Sequence, residues 1–308
     1  MEKGEHRIVA ENTKRTSAEQ RIRFLVEVAE RNNSVLDLAE LQRLMPAGYP
    51  MTQAKLRNFI CRTLTDIHVS HDGFVFDGKV ATDLDYVRKS KSISAERIEY
   101  ARRFVEQHPK LFDKIQIVAV SGSTSYGSSG PQDDLDLMVV ARDGFLWISV
   151  LRLLVYLRAT RLSQPRSLSS RFCLSPIFTR SGLREFLRNS RNALTARDLL
   201  TLIPLKGGME LARIITENDW IREYYPQGVQ SKKLEESQPR EPPKAHPLER
   251  LCFEGLQRYL SLVAWARNAK LLRSGREPDL FRFKRSPDYA VYESGRYVEL
   301  LKMYSSAF

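Results

Sequence analysis

The chain has 308 residues, of which 42% are hydrophobic, 9% aromatic and 28% charged, a composition that excludes disordered and collagen-like chains and, at ~100–200 residues per domain, predicts more than one core. Forty-nine Lys and Arg against 37 Asp and Glu give a net charge of +12, which points to phosphorylated or nucleic-acid partners or to a solvated basic surface. Three cysteines, Cys61, Cys173 and Cys252, lie far apart without a Cys-x-x-Cys pair, which argues against a disulfide framework or zinc ribbon and for a reducing compartment.

Residues 1–17 are charged and lack the apolar core of a signal peptide, so they read as a loose tail. The segment 18–88 reads as three helices and a hairpin. Ser17 with Gln20 and Asp37 with Glu40 are capping-box pairs, and Thr52 caps a third helix whose Leu56, Phe59, Ile60 and Leu64 form one stripe. Ile67 to Val69 and Phe74 to Phe76, joined at Asp72-Gly73, make the hairpin. That order is a winged helix, whose third helix would offer Gln53, Lys55, Arg57, Asn58 and Arg62 to DNA. The alternative is a winged helix packed on the rest of the chain as a scaffold.

The segment 89–229 begins with a basic connector and a helix from about Ser94. An apolar run, Ile115 to Val120, follows, then Ser121 to Gly127, a second run from Leu135 to Val140, a helix from Phe145 to Arg161 and a third strand near 172–178. Thr195 is expected to cap a helix ending at Pro204, and a further helix spans about 208–218. The longest apolar stretch, Phe145 to Leu157, contains Arg152 and is shorter than the ~20 residues a bilayer requires, so the expectation is a cytoplasmic protein without a membrane partner. Residues 141–200 hold eleven arginines, no lysine and three acids, a net of +8; an arginine-only excess suits bidentate phosphate contacts. Residues 230–247, with four prolines, read as a linker, and 248–308 as a C-terminal helical region opened by a helix from Leu248 to Leu272.

The chemistry concentrates in Gly122-Ser123, ten residues, and Asp134-Leu135-Asp136. Strand alternation sends Asp134 and Asp136 to one face and Asp133 to the other. Two adjacent carboxylates repel, a cost removed by a hard divalent cation that also takes phosphate oxygens. The glycine-serine turn before a helix start is suited to grip phosphate. No P-loop occurs, and the glycines at 122, 127 and 130 do not fit a dinucleotide fingerprint. His6, His68, His71, His108 and His246 show no metal spacing, and Cys173, Trp147 and Trp220 read as core.

This pattern resembles the nucleotidyltransferase fold of the DNA polymerase β superfamily. The likeness extends to uncharacterised microbial nucleotidyltransferase-domain proteins through Asp72-Gly73-Phe74, Ser121-Gly122-Ser123, Asp133 to Asp136, Gly144 with Trp147, Cys173-Leu174 and Asn218-Asp219-Trp220. It implies an α+β chain with an N-terminal winged helix, a central mixed sheet with flanking helices and a C-terminal helical portion. It further implies transfer of a nucleoside monophosphate from an NTP to an acceptor hydroxyl, RNA among the candidates, with release of pyrophosphate. Asp134 and Asp136 would hold Mg²⁺ or Mn²⁺, and Gly122, Ser123 and Thr124 would position the phosphates. Members of the superfamily usually carry a third carboxylate on a later strand, here near 172–178, a run without an acid; Asp198, Glu217 and Asp219 are the candidates to complete the set. The rival reading is a DNA- or RNA-binding regulator whose transferase domain senses a nucleotide without turning it over.

Overall fold

The computed structural model describes residues 18–32, 34–46, 49, 52–78, 83–164, 168–229, 245–275 and 280–308. The expected tail 1–17, with the capping residue Ser17, and residues 230–244 of the expected linker 230–247 lie outside them. The helix 18–31 (α1) buries Ile22, Leu25 and Val26. Asp37 and Glu40 cap α2 (Leu38–Arg43) reciprocally, with backbone-to-carboxylate distances of 2.8 and 2.9 Å. Thr52 caps α3 (Gln53–Thr63), which turns Leu56 and Ile60 inward. The hairpin strands β2 (Ile67–Val69) and β3 (Phe74–Asp77) form as expected, and β1 (Leu36–Asp37) adds to β3. Two residues are too few to show a period, so β1 carries no signal in the sequence.

The expected connector after the hairpin is helical instead. Asp83 accepts from the backbone of Asp85 and Tyr86, so α4 (Leu84–Gln107) starts some ten residues earlier than Ser94. The boundary expected at 88/89 thus falls inside a helix that buries Val87, Ser90 and Ser94.

The main sheet has six strands in the order β7-β4-β5-β6-β9-β8. At its centre β4 (Ile115–Val120) runs antiparallel to β5 (Leu135–Ala141), which runs parallel to β6 (Phe172–Thr179) through the crossover helix α6 (Leu146–Ser163). Both faces are covered, which explains the unbroken apolar runs. Ile117, Ala119, Met138 and Val140 join a core shared with α1 to α3, while Val118, Val120, Leu137 and Val139 pack with Trp147, Val150 and Leu256 on the opposite face.

Flanking pieces depart from expectation in three places. Asn192, whose side chain accepts from Thr195 N at 2.9 Å, caps α8 (Ala193–Thr201), and Pro204 lies in an edge strand, β7 (Ile203–Lys206), a place where its missing N–H costs no ladder bond. Between β6 and α8 runs α7 (Arg180–Asn189), and β7 leads to α9 (Gly208–Glu217) and α10 (Trp220–Tyr224). The C-terminal portion is not purely helical: after α11 (Glu249–Arg273) the hairpin β8 (Phe281–Ser286) and β9 (Tyr289–Ser294) extends the sheet through Ile177↔Ala290 and Phe178↔Tyr289, before α12 (Gly295–Ala307). Polar residues alternating with aromatics and the Pro287-Asp288 turn account for it. Among the described residues no helix is long and apolar enough to cross a membrane.

Candidate functional site

The chain leaves β4 at Ser121, whose N–H donates to Asp136 O at 3.0 Å, and turns through Gly122 at φ +64° into the single-turn helix α5 (Gly122–Ser125). A Cβ at 122 would collide with Asp136 Oδ2, so glycine is what lets this carboxylate seat against the turn. Asp136, the second residue of β5, is half-buried, and Asp134, just ahead of the strand, is exposed. Both line one cleft of about 1430 Å³ together with Ser121, Gly122 and Ser123.

Asp133 lines the same cleft, contrary to the expectation that it projects away. β5 begins only at Leu135, so strand alternation does not reach it. Its carboxylate accepts from Gly130 N at 2.8 Å and from Ser123 Oγ at 3.4 Å, tying the approach loop to the turn. Thr124 departs in the opposite sense. Its side chain is buried, with Oγ1 2.8 Å from Ser129 Oγ, so its hydroxyl supports the loop from within and cannot reach a phosphate in the cleft.

Two helices brace this turn from below. From α4, Ser94 Oγ accepts from Ser129 N at 3.1 Å and donates to Ser90 O at 2.8 Å. From α8, Asp198 accepts from Tyr126 OH, and the Arg197 guanidinium lies 5.0 Å from the Tyr126 ring centroid. Burial pushes the Asp198 carboxyl up to about 6, against the opposing pull of Tyr126 and Arg197.

Burial likewise pushes Asp136 up to about 6; a hydrogen bond from Cys173 and the charge of Arg267 oppose the shift, and Asp134 and Asp133 add to it. Cys173 is the β6 register partner of Asp136. Burial and the neighbouring carboxylates push its thiol pKa up, which keeps it a neutral donor. A thiol therefore stands on the third strand where the resemblance leads one to expect an acid. Of the other candidates for that role, Asp198 lines the same cleft but is engaged by Tyr126 beneath the turn, Glu217 pairs with Arg184 at 3.1 Å, and Asp219 lies 3.9 Å from Arg222. Among the described residues no three His, Cys, Asp or Glu side chains gather as a metal cage. The donor set, two hard carboxylates beside a turn open to the cleft, suits a cation that keeps waters or phosphate oxygens in its other positions.

Three arginines complete the surroundings, of which only Arg171 belongs to the arginine-rich segment. Arg97 of α4 and Arg171 donate to Pro131 O at 3.2 and 2.8 Å, and Arg267 of α11 lines the cleft beside Asp136. The arginine-rich segment is not one basic face. Arg152 pairs with Asp113, Arg180 with Glu210 and Arg184 with Glu217, and Arg197 is buried; Arg161 and Arg171 line the cleft, and Arg142, Arg158, Arg188 and Arg191 are exposed elsewhere along the segment. On α3, Lys55, Asn58 and Arg62 are exposed, while Arg57 donates to Ser70 O and, at 3.4 Å, to His71 O. Trp147 and Trp220 are core, as expected.

Comparison of the chain with protein-family models, with curated proteins and with solved structures gives no match.

Proposed function

We propose that the cleft is a nucleotidyltransferase site of the polymerase β kind, moving a nucleoside monophosphate from an NTP to an acceptor hydroxyl. One observation carries this reading: Asp134 and Asp136 line the same cleft wall as the Gly122-Ser123 turn, with the glycine required by the position of the Asp136 carboxylate. Asp134 and Asp136 would hold a divalent cation, Mg²⁺ or Mn²⁺, which when bound neutralises phosphate charge and polarises the phosphoryl oxygens. Ser123 and the turn grip the triphosphate, and Arg171 and Arg267 offset the remaining negative charge. The acceptor oxygen attacks the α-phosphorus, the bond to the β-phosphate oxygen breaks, and pyrophosphate departs with the bonding pair while the acceptor proton passes to solvent. Positioning and charge do the work, without a covalent intermediate.

In this reading the N-terminal helices and hairpin are a winged helix used as a scaffold. Arg57 is folded back on the hairpin, and Asp72 at the hairpin tip is held by Arg88 of α4 at 2.8 Å, contacts that point the wing at the protein rather than at a duplex.

The test is Asp136→Asn, with pyrophosphate release measured for each of the four NTPs in Mg²⁺ or Mn²⁺ with total RNA and small hydroxyl acceptors. Removal of the carboxylate is expected to lower turnover on the order of 100-fold or more, the scale of losing one preorganised charge-stabilising group, with the circular dichroism unchanged. Unaltered turnover defeats the assignment. Cys173 in place of an acid favours a second reading, nucleotide sensing without transfer, which predicts NTP binding that Asp136→Asn weakens and no pyrophosphate from the wild type.

A further inference from the structure

α11 is apolar on both sides. Its inner side buries Cys252, Leu256 and Ala264, whereas on its outer side Leu251, Leu262, Trp265 and Leu272 are 67%, 62%, 68% and 51% exposed. A surface helix ordinarily turns a polar face to water, so a row of large apolar side chains on the outer side as well calls for cover there. The neighbouring α6 continues the patch: Val155 and Leu162 are exposed seven residues apart, and Arg158 between them reaches the Tyr259 ring of α11 at 5.9 Å.

The outer residues follow a heptad. Leu251, Arg258, Trp265 and Leu272 recur every seven positions, and so do Gly255, Leu262 and Ala269, interleaved at the spacing of a two-stranded seam. Gly255 is a second, independent observation. A glycine inside a helix costs ~1 kcal/mol relative to alanine, and a Cβ at 255 would meet nothing within 4 Å, so no contact within the protomer calls for it.

We propose that α11 is the seam of a homodimer, two copies packing antiparallel about a two-fold axis so that Trp265 of each lies over Gly255 of the other. The two heptad rows face one another in such a seam. The register that sets Trp265 on Gly255 also sets Leu272 on Leu248, Leu251 on Ala269 and Leu262 on the aliphatic stem of Arg258. Large side chains meet small or apolar ones in every layer, and the patch is self-complementary, as an isologous contact must be. α11 has 25 residues, hence a length of ~37 Å. With α6 beside it the helix pair is about 20 Å wide, two helix diameters, so an interface over the pair would cover on the order of 700 Å² per copy, close to the ~800 Å² per partner of stable complexes. The inference stands on the outer side of α11 with its neighbour α6 and is independent of the chemistry of the cleft.

The experiment is sedimentation equilibrium on the full chain, paired with acrylamide quenching of tryptophan fluorescence. The wild type is expected at twice 35.5 kDa, with Trp265 shielded from quencher. Gly255→Leu extends into open space in the protomer and raises helix propensity, so it leaves the monomer folded, yet it fills the place of Trp265 in the dimer. It is expected to raise the dimer dissociation constant at least ~100-fold, the effect of disrupting a central aromatic anchor, and Trp265→Arg to do the same. A wild type that stays monomeric well above micromolar concentration overturns the proposal, as does a dimer indifferent to both substitutions. Shielding of Trp265 only on addition of RNA, or only on addition of phosphatidylglycerol vesicles, overturns it in favour of that occupant.

Discussion

A side chain at position 122 would meet two obstacles at once, a φ of +64° and the Asp136 carboxylate. The left-handed backbone alone costs roughly 1–2 kcal/mol for a residue with a Cβ, and relief of the collision requires Asp136 to leave the turn. Gly122→Ala is therefore expected to lower stability by about that amount and to weaken NTP binding by more than the stability loss explains, as read by thermal unfolding alongside calorimetric titration with Mg²⁺ and ATP. Loss of stability with intact nucleotide affinity would mean that the seat of Asp136 is irrelevant to the cleft. The Gly122-Ser123 and Asp134-x-Asp136 elements were legible in the sequence because their geometry is local: a turn, a strand start and ten residues between them. Cys173 and Arg267 were not. Their proximity to Asp136 depends on the β5–β6 register and on the docking of α11, neither of which leaves a local trace. Asp133 shows the limit of periodic reasoning, since it stands two residues before the strand begins, where alternation no longer applies.

Among the elements, the caps of α2 and α3 and the strand periods were reliable signals, whereas the cap of α8 is Asn192 and not Thr195. Asp37 with Glu40, Thr52, and the apolar runs of β4 and β5 formed where their chemistry put them, whereas β1 and β7 owe their existence to neighbouring strands that complete a ladder. The clearest element-scale coupling is that of α5 to α8 through Tyr126 and Asp198. Burial raises the Asp198 carboxyl from 3.8 to about 6, so the folded chain holds this proton more tightly than the unfolded one. Its contribution to stability is complete below about pH 4 and is lost as pH rises to about 6, on the order of 3 kcal/mol for a shift of this size. Asp198→Asn keeps an acceptor for Tyr126 and does not titrate. Urea unfolding of both proteins across this range is expected to show the variant gaining on the wild type as pH rises, with the gap constant above about pH 7. Parallel stability profiles would mean that α8 binds Tyr126 without a cost in charge.

At the scale of the whole molecule, one apolar core runs from α1 through the sheet to α12, with Ile22, Leu25, Met138, Trp220 and Tyr304 in a single cluster. Its polar keystone lies between the two ends of the described chain. Arg197 donates to Tyr304 OH, while the Arg21 guanidinium sits 3.5 Å from the Phe308 ring centroid and 5.7 Å from that of Tyr225. Domain reading from composition divides this unit at 88/89, because a continuous core between segments distant in sequence has no compositional signature. The physical consequence is cooperative unfolding. Arg197 is buried and its Nε already has no hydrogen-bond partner, so Tyr304→Phe would leave a second guanidinium nitrogen without its acceptor in a buried site. The cost of an unsatisfied charged group there is about 3 kcal/mol. Trp147 reports on the core over one sheet face and Trp220 on the core over the other, and single-tryptophan versions of each can be followed separately in urea. Tyr304→Phe is expected to move both midpoints down together, because the same sheet closes both cores. A shift confined to Trp220, with Trp147 unfolding at its original midpoint, would show instead that the N- and C-terminal helices clasp one face of the sheet as an independent unit.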